Sequence, residues 1–149
     1  MTTHDSKLIA EAQIRDLIQS WQSAAASRDI DKVMSHYAPD ILSFDAIGLL
    51  QYKGRDAYKK HWQACFEMCP NSEGFFEIND LAVTAGDEVG FAHYLASCGG
   101  AGPDGEVKAG VMRGTVCCRK VDGKWLVAHE HLSVPFDMES GKALTELTP

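Results

Sequence analysis

The chain has 149 residues, 45% of them hydrophobic and 23% charged, and a formal net charge of -7 at neutral pH. That length suits one domain, residues 1–149, large enough to bury its own core. The acidic balance argues against nucleic acid or an anionic membrane as partner, because both need a basic surface.

From the N-terminus, Met1–Lys7 is polar with no apolar run behind it, so no secretory leader is expected. Ile14, Leu17, Ile18, Trp21 and Ala25 recur at helical spacing and predict an amphipathic helix over Ser6–Ala26. Arg28-Asp29 breaks it. Ile30, Val33, Met34 and Tyr37 mark a short second helix that Pro39 ends. Ile41–Asp45 is expected as a short strand, with Gly48–Tyr52 as its partner. Asp56 is the expected N-cap of a third helix, with Tyr58, Trp62, Cys65, Phe66 and Cys69 as its apolar stripe before Pro70.

Four strands follow, over Phe75–Thr84, Glu88–Cys98, Val107–Lys120 and Lys124–Val134. Ala85-Gly86-Asp87, the glycine-rich loop Gly99–Gly105 and Asp122-Gly123 join them, each with hairpin turn chemistry. Helices first and an antiparallel meander second is an α+β pattern: three N-terminal helices packed on a curved, mainly antiparallel sheet, a cone with one open end. No apolar run reaches the roughly 20 residues of a membrane span. Five cysteines without regular spacing read as reduced thiols of a cytoplasmic protein.

The last hairpin can be read as geometry. If Asp122-Gly123 is the whole turn, Val121 pairs with Lys124, Thr115 with Glu130 and Arg113 with Leu132. Arg113, Thr115, Cys117, Ala128, Glu130 and Leu132 then share one face. Val116, Cys118, Trp125, Val127, His129, His131 and Ser133 share the other. An Arg and a Glu on an interior face need each other or a ligand, since an unpaired buried charge is costly.

The stretch from Arg113 through Cys117-Cys118, Asp122-Gly123-Lys-Trp125 and His129-Glu-His131 to Asp137 resembles the SnoaL-like branch of the ketosteroid-isomerase-like, or nuclear transport factor 2-like, superfamily. Its Trp, His-x-His and Ser are also similar to the association domain of calcium/calmodulin-dependent kinase II. The run Tyr37-Ala-Pro-Asp-Ile-Leu-Ser-Phe-Asp45-Ala-Ile-Gly48 is similar to ketosteroid isomerase itself. That resemblance implies the cone fold and places Asp45 on the family's proton-shuttling aspartate. Trp21 falls where the family has its oxyanion-hole tyrosine, and Thr115 falls near its protonated acid, so both oxyanion donors are changed.

These matches favour the Arg113, Thr115 and Glu130 face as the pocket wall. Asp45 is then the candidate base, with a turn aspartate as the plain alternative. Glu130 is a second acid or base, or a salt-bridge partner of Arg113. His93, in the alternating run Phe91, His93, Leu95, either points into the cavity or sits in the core. Trp21, Tyr37, Trp62, Phe66 and Leu132 would complete a site for a small apolar or aromatic ligand. His129 and His131 could hold a metal but lack a clear third ligand, so no metal is expected. No phosphate loop, nucleophile elbow or redox cofactor motif occurs, so no cofactor is expected.

Two functions remain open. One is isomerase-type proton transfer beside a carbonyl, done by side chains alone. The other is a non-catalytic ligand-binding or association module. A homodimer through the outer sheet face is expected on family grounds, with Val116, Trp125 and Val127 as the patch it would cover.

Overall fold

A computed structural model describes residues 2–68, 75–101 and 107–149. Its elements run α1 (Thr3–Ser27), α2 (Ile30–Met34), β1 (Tyr37–Phe44), β2 (Tyr52–Lys53), α3 (Arg55–Met68), β3 (Phe75–Ala85), β4 (Val89–Ala101), β5 (Val107–Val121) and β6 (Lys124–Ser133). The strands form one sheet in the order β2-β1-β6-β5-β4-β3. Every described pairing is antiparallel except β1 with β6, which is parallel. The arrangement is the expected α+β one, with helices against one face of the sheet. Cys69, Pro70 and most of the Gly99–Gly105 loop lie outside the described residues.

Helix α1 begins earlier than its apolar periodicity suggests because Thr2 and Asp5 close a reciprocal capping box. Arg28 ends it in the left-handed conformation, φ 62°. The buried positions Ala10, Ile14, Ile18, Trp21, Ala24 and Ala25 form the stripe that lies on the sheet.

Tyr37 does not extend α2; it opens β1. The residue before a proline is pushed towards extended backbone, so Ala38-Pro39 favours a strand over another helical turn. The register of β1 on β6 shifts between Tyr37 and Leu42, where Pro39 sits without an N–H to donate. On α3 the expected stripe is only partly right: Tyr58 is fully buried, whereas Trp62, Cys65 and Phe66 are half-buried. Asp56 lies within the first turn of α3 and does not cap it.

The β5–β6 hairpin requires the largest correction. Val121 does pair with Lys124, and the expected register holds as far as Cys118 with Val127, but a bulge at Ala128 then makes Cys117 pair with His129. Beyond it, Val116 pairs with Glu130, Thr115 with His131 and Arg113 with Ser133. One extra residue reverses which side chains of β6 face inward. Trp125 and Val127 point inward before the bulge, and Glu130 and Leu132 point inward after it; all four are buried. On β5 the inner row is Gly114, Val116 and Cys118, and Arg113 and Thr115 are exposed on the outer face. Val116, Trp125 and Val127 therefore belong to the core, not to an outer patch.

Strand β4 is also turned over relative to the expectation. Ala92, Tyr94 and Ala96 face inward, and His93 is exposed. Beneath α1 the start of that row is tight: a Cβ on Gly90 would stand 2.5 Å from Ile14 Cδ1.

Candidate active site

Two strand ends and one helix bring the site together. Along β1 the inward parity runs Ile41, Ser43 and, just past the strand end, Asp45. Ser43 is paired with Glu130 on β6. The parallel register thus sets Asp45 and Glu130 one step apart along the inner face. Tyr58 reaches them from the first turns of α3.

Glu130 is 1% exposed. Its Oε2 accepts hydrogen bonds from Tyr37 Oη at 3.0 Å and lies 2.8 Å from Tyr58 Oη. Tyr37 Oη in turn accepts from Trp21 Nε1 at 2.8 Å. Burial pushes the Glu130 carboxyl up from 4.5 to about 7, against the pull of its tyrosine hydrogen bonds. Tyr37, Tyr58 and Tyr94 ring this carboxyl, and burial first, then the Glu130 charge, holds each phenol well above its ordinary value. These phenols therefore stay protonated at neutral pH.

Asp45 uses both of its oxygens. Oδ1 accepts from the backbone N–H of Ile47 at 3.1 Å, which is the turn-capping role. Oδ2 lies 3.0 Å from Tyr58 Oη and 3.3 Å from His61 Nε2. The aspartate is thus a turn residue and a member of the inner cluster at once. Its side chain and that of His61 are each 9% exposed. A cleft of about 530 Å³ opens beside Asp45, with Phe44, Leu50, Leu132 and Val134 as apolar walls and Gln51, His131 and Ser133 at its polar edge.

Cys65 Sγ is 3.8 Å from the same His61 nitrogen. One ring nitrogen therefore faces both the thiol and the Asp45 carboxyl, whereas a nucleophile–base–orienter relay uses the two ring nitrogens separately. Among the described residues no group of three His, Cys, Asp or Glu is placed to hold a metal ion. His129 Nδ1 instead contacts the Leu42 carbonyl at 2.7 Å, and His131 is exposed on the outer face.

Of the residues singled out from sequence, Asp45, Glu130, Tyr37 and Trp21 share one hydrogen-bonded network, and Leu132 borders the cleft beside Asp45. Trp62 and Phe66 extend the cluster by ring contacts, with centroids 6.0 Å for Trp21–Trp62 and 5.6 Å for Trp62–Phe66. His93, Arg113 and Thr115 lie apart from it. Arg113 does not meet Glu130: its Nε donates to Ser133 Oγ at 3.2 Å on the outer face. Tyr58, expected only within the apolar stripe of the third helix, joins the site, as do His61 and Tyr94, which no motif marks. Tyr58 and His61 stand three apart on one helix face, and Ala92-x-Tyr94-x-Ala96 is a small–large–small alternation opposite Gly114.

The sequence matches no curated protein. Among solved structures, an NTF2-like protein of unknown function from Pseudomonas putida is 46% identical, with a TM-score of 0.86 over 93% of this chain and 96% of the other. A ketosteroid isomerase-like protein from Erwinia carotovora atroseptica is 19% identical, with a TM-score of 0.69 over 83% and 94%. A Xanthomonas campestris chain named for the calcium/calmodulin-dependent protein kinase II association domain is 21% identical, with a TM-score of 0.72 over 90% and 87%. The last two likenesses show the fold, the nuclear transport factor 2-like cone. Residues 14–137 match the model of the SnoaL-like domain, and the chain belongs to that family.

Proposed function

We propose that the protein is a proton-transfer catalyst that acts beside the carbonyl of a small apolar molecule, with Asp45 as the base and no cofactor in the step. One observation carries this reading: Asp45 Oδ2 is oriented by Tyr58 and His61 at the wall of an apolar cleft while a second carboxyl, Glu130, is buried behind it. A base so placed removes a proton from the carbon next to the carbonyl. Tyr58 steadies the base by its contact with Asp45 Oδ2, and Gln51 and His131 are the polar side chains of the cleft that can meet the enolate that develops. The likeness to a ketosteroid isomerase-like structure points the same way. Exchange of carbonyl-adjacent protons in a panel of small ketones, followed by NMR in deuterated water, tests it. Asp45→Asn is expected to slow the exchange by ~100-fold or more. An unaltered rate removes Asp45 from the chemistry.

We also propose self-association through the outer sheet face, the alternative use of this fold. Here the supporting observation is Phe91, 47% exposed in a row with Cys117, His129 and Leu42 on the adjoining strands. Sedimentation of Phe91→Glu against the native chain is expected to show a dimer converted to monomer. A dimer of undiminished stability excludes this face.

A further inference from the structure

Tyr58 Oη stands 3.0 Å from Asp45 Oδ2 and 2.8 Å from Glu130 Oε2. A hydroxyl has one proton and can donate only one of these bonds. With both carboxyls ionised, the other contact would set a lone pair of the phenol against a carboxylate oxygen in a buried site, which is unfavourable. A proton on one carboxyl, donated to Oη, removes the conflict. We propose that Asp45 and Glu130 hold one proton between them through the Tyr58 hydroxyl, and that Glu130 is the store from which Asp45 is reprotonated.

Two arrangements satisfy every contact. In the first, Glu130 Oε2–H donates to Tyr58 Oη and Tyr58 donates to Asp45 Oδ2. In the second, Asp45 Oδ2–H donates to Tyr58 Oη and Tyr58 donates to Glu130 Oε2. They interconvert by two coupled hops. The Oε2–H bond breaks as a new Oη–H bond forms, and the original Oη–H bond breaks as Oδ2–H forms. The negative charge passes from Asp45 to Glu130, and no proton enters or leaves. The first arrangement makes Asp45 a base facing the cleft, and the second makes it an acid. One site can then both remove and return a proton.

The surroundings favour the first arrangement in the ligand-free protein. Asp45 accepts from the Ile47 amide and stands 3.3 Å from His61 Nε2 at the cleft wall. Glu130 is the more deeply buried of the two, which favours its neutral form. The groups facing Glu130 are Tyr37 from β1, Tyr58 from α3, Tyr94 from β4, Cys118 from β5 and Asp45 itself. Burial raises the Cys118 thiol to about 12, so the thiol and the three phenols stay neutral around physiological pH. Asp45 is faced by Tyr58 and His61 from α3, and its charge also reaches Tyr94 and Cys98 on β4. The shared proton therefore lies in the two carboxyls.

The role as a proton store rests on Asp45 being the base; the sharing of the proton does not. The test is titration of the ligand-free protein with carbon-13 label in the Asp and Glu carboxyls, followed by NMR. In the native chain both carboxyl signals are expected to show the same two inflections, one of them near neutral pH. Tyr58→Phe removes the bridging oxygen and is expected to leave two single, independent inflections. Glu130→Gln provides a second variant that keeps a hydrogen-bonding group next to Tyr58; there Asp45 should titrate in one step. Independent single titrations in the native chain, or a profile that Tyr58→Phe leaves unchanged, overturn the proposal. Coupled titrations alongside full ketone exchange in Asp45→Asn would support the shared proton and remove only the base. Uncoupled titrations alongside lost exchange would do the reverse.

Discussion

The two faces of the sheet hold similar residue types in opposite conditions. Outside, His93, Arg113, Thr115 and His131 are exposed, and their polar groups meet water or one another. Inside, Tyr37, Tyr58, Tyr94 and Glu130 are each 3% exposed or less, so their polar groups depend on protein partners, which Tyr37, Tyr58 and Glu130 have and the Tyr94 hydroxyl lacks. A charge on the outer face costs little and changes little, because water screens it. A charge on the inner face is costly enough that protonation becomes part of the structure. Difference in environment, not in residue type, is what makes the inner cluster a candidate site and leaves His93 as surface, with His131 at the rim of the cleft.

The largest expected consequence concerns Glu130 and pH. Its carboxyl titrates near 7 in the fold and at 4.5 in the open chain. Between those values the folded protein keeps a proton that the unfolded chain has lost. Stability therefore falls as pH rises through that window; the cost is absent below 4.5 and complete above 7. The shift corresponds to about 3 kcal/mol. Denaturant unfolding at a series of pH values should show that decline in the native chain, and Glu130→Gln should flatten it. Equal slopes for the two proteins would mean that Glu130 is no different from a surface carboxylate, and the contrast between the faces would fail at its centre.

The fold was largely legible because its signals are local. Helical spacing from Ile14 to Ala25, the Asp122-Gly123 turn and the run of four strands each follow from short-range chemistry. The assignment of faces was not legible, and the reason is one residue. The extra residue at Ala128 leaves no mark in composition or alternation, yet it inverts the parity of β6 beyond it. Simple alternation places Glu130 and Leu132 inward with Arg113 and Thr115 as companions and puts Trp125 and Val127 outside. The true companions of Glu130 come from β1 and α3, at separations of 93 and 72 residues, and no local pattern reports such contacts. Asp45 was legible only through family resemblance. Nothing in its neighbours announces that one oxygen caps a turn while the other joins the cluster.

A sharper form of the same contrast comes from two adjacent residues of β5. Gly114 faces inward under the Tyr94 ring, where a Cβ would lie 2.5 Å from ring carbons and 2.9 Å from the hydroxyl. Thr115 faces outward and is exposed. Tyr94 is 3% exposed, so its ring has little room to retreat. Gly114→Ala should therefore cost about 1–3 kcal/mol by overpacking and should displace the Tyr94 phenol from beside Glu130. Thr115→Ala, one position on, should stay within about 0.5 kcal/mol. Denaturation midpoints measure the two costs, and the Tyr94 ring signals in NMR report the displacement. Comparable small losses in both variants would show that the inner face yields as readily as the outer one. The buried cluster would then lack the rigidity needed to hold Tyr58 between two carboxyls.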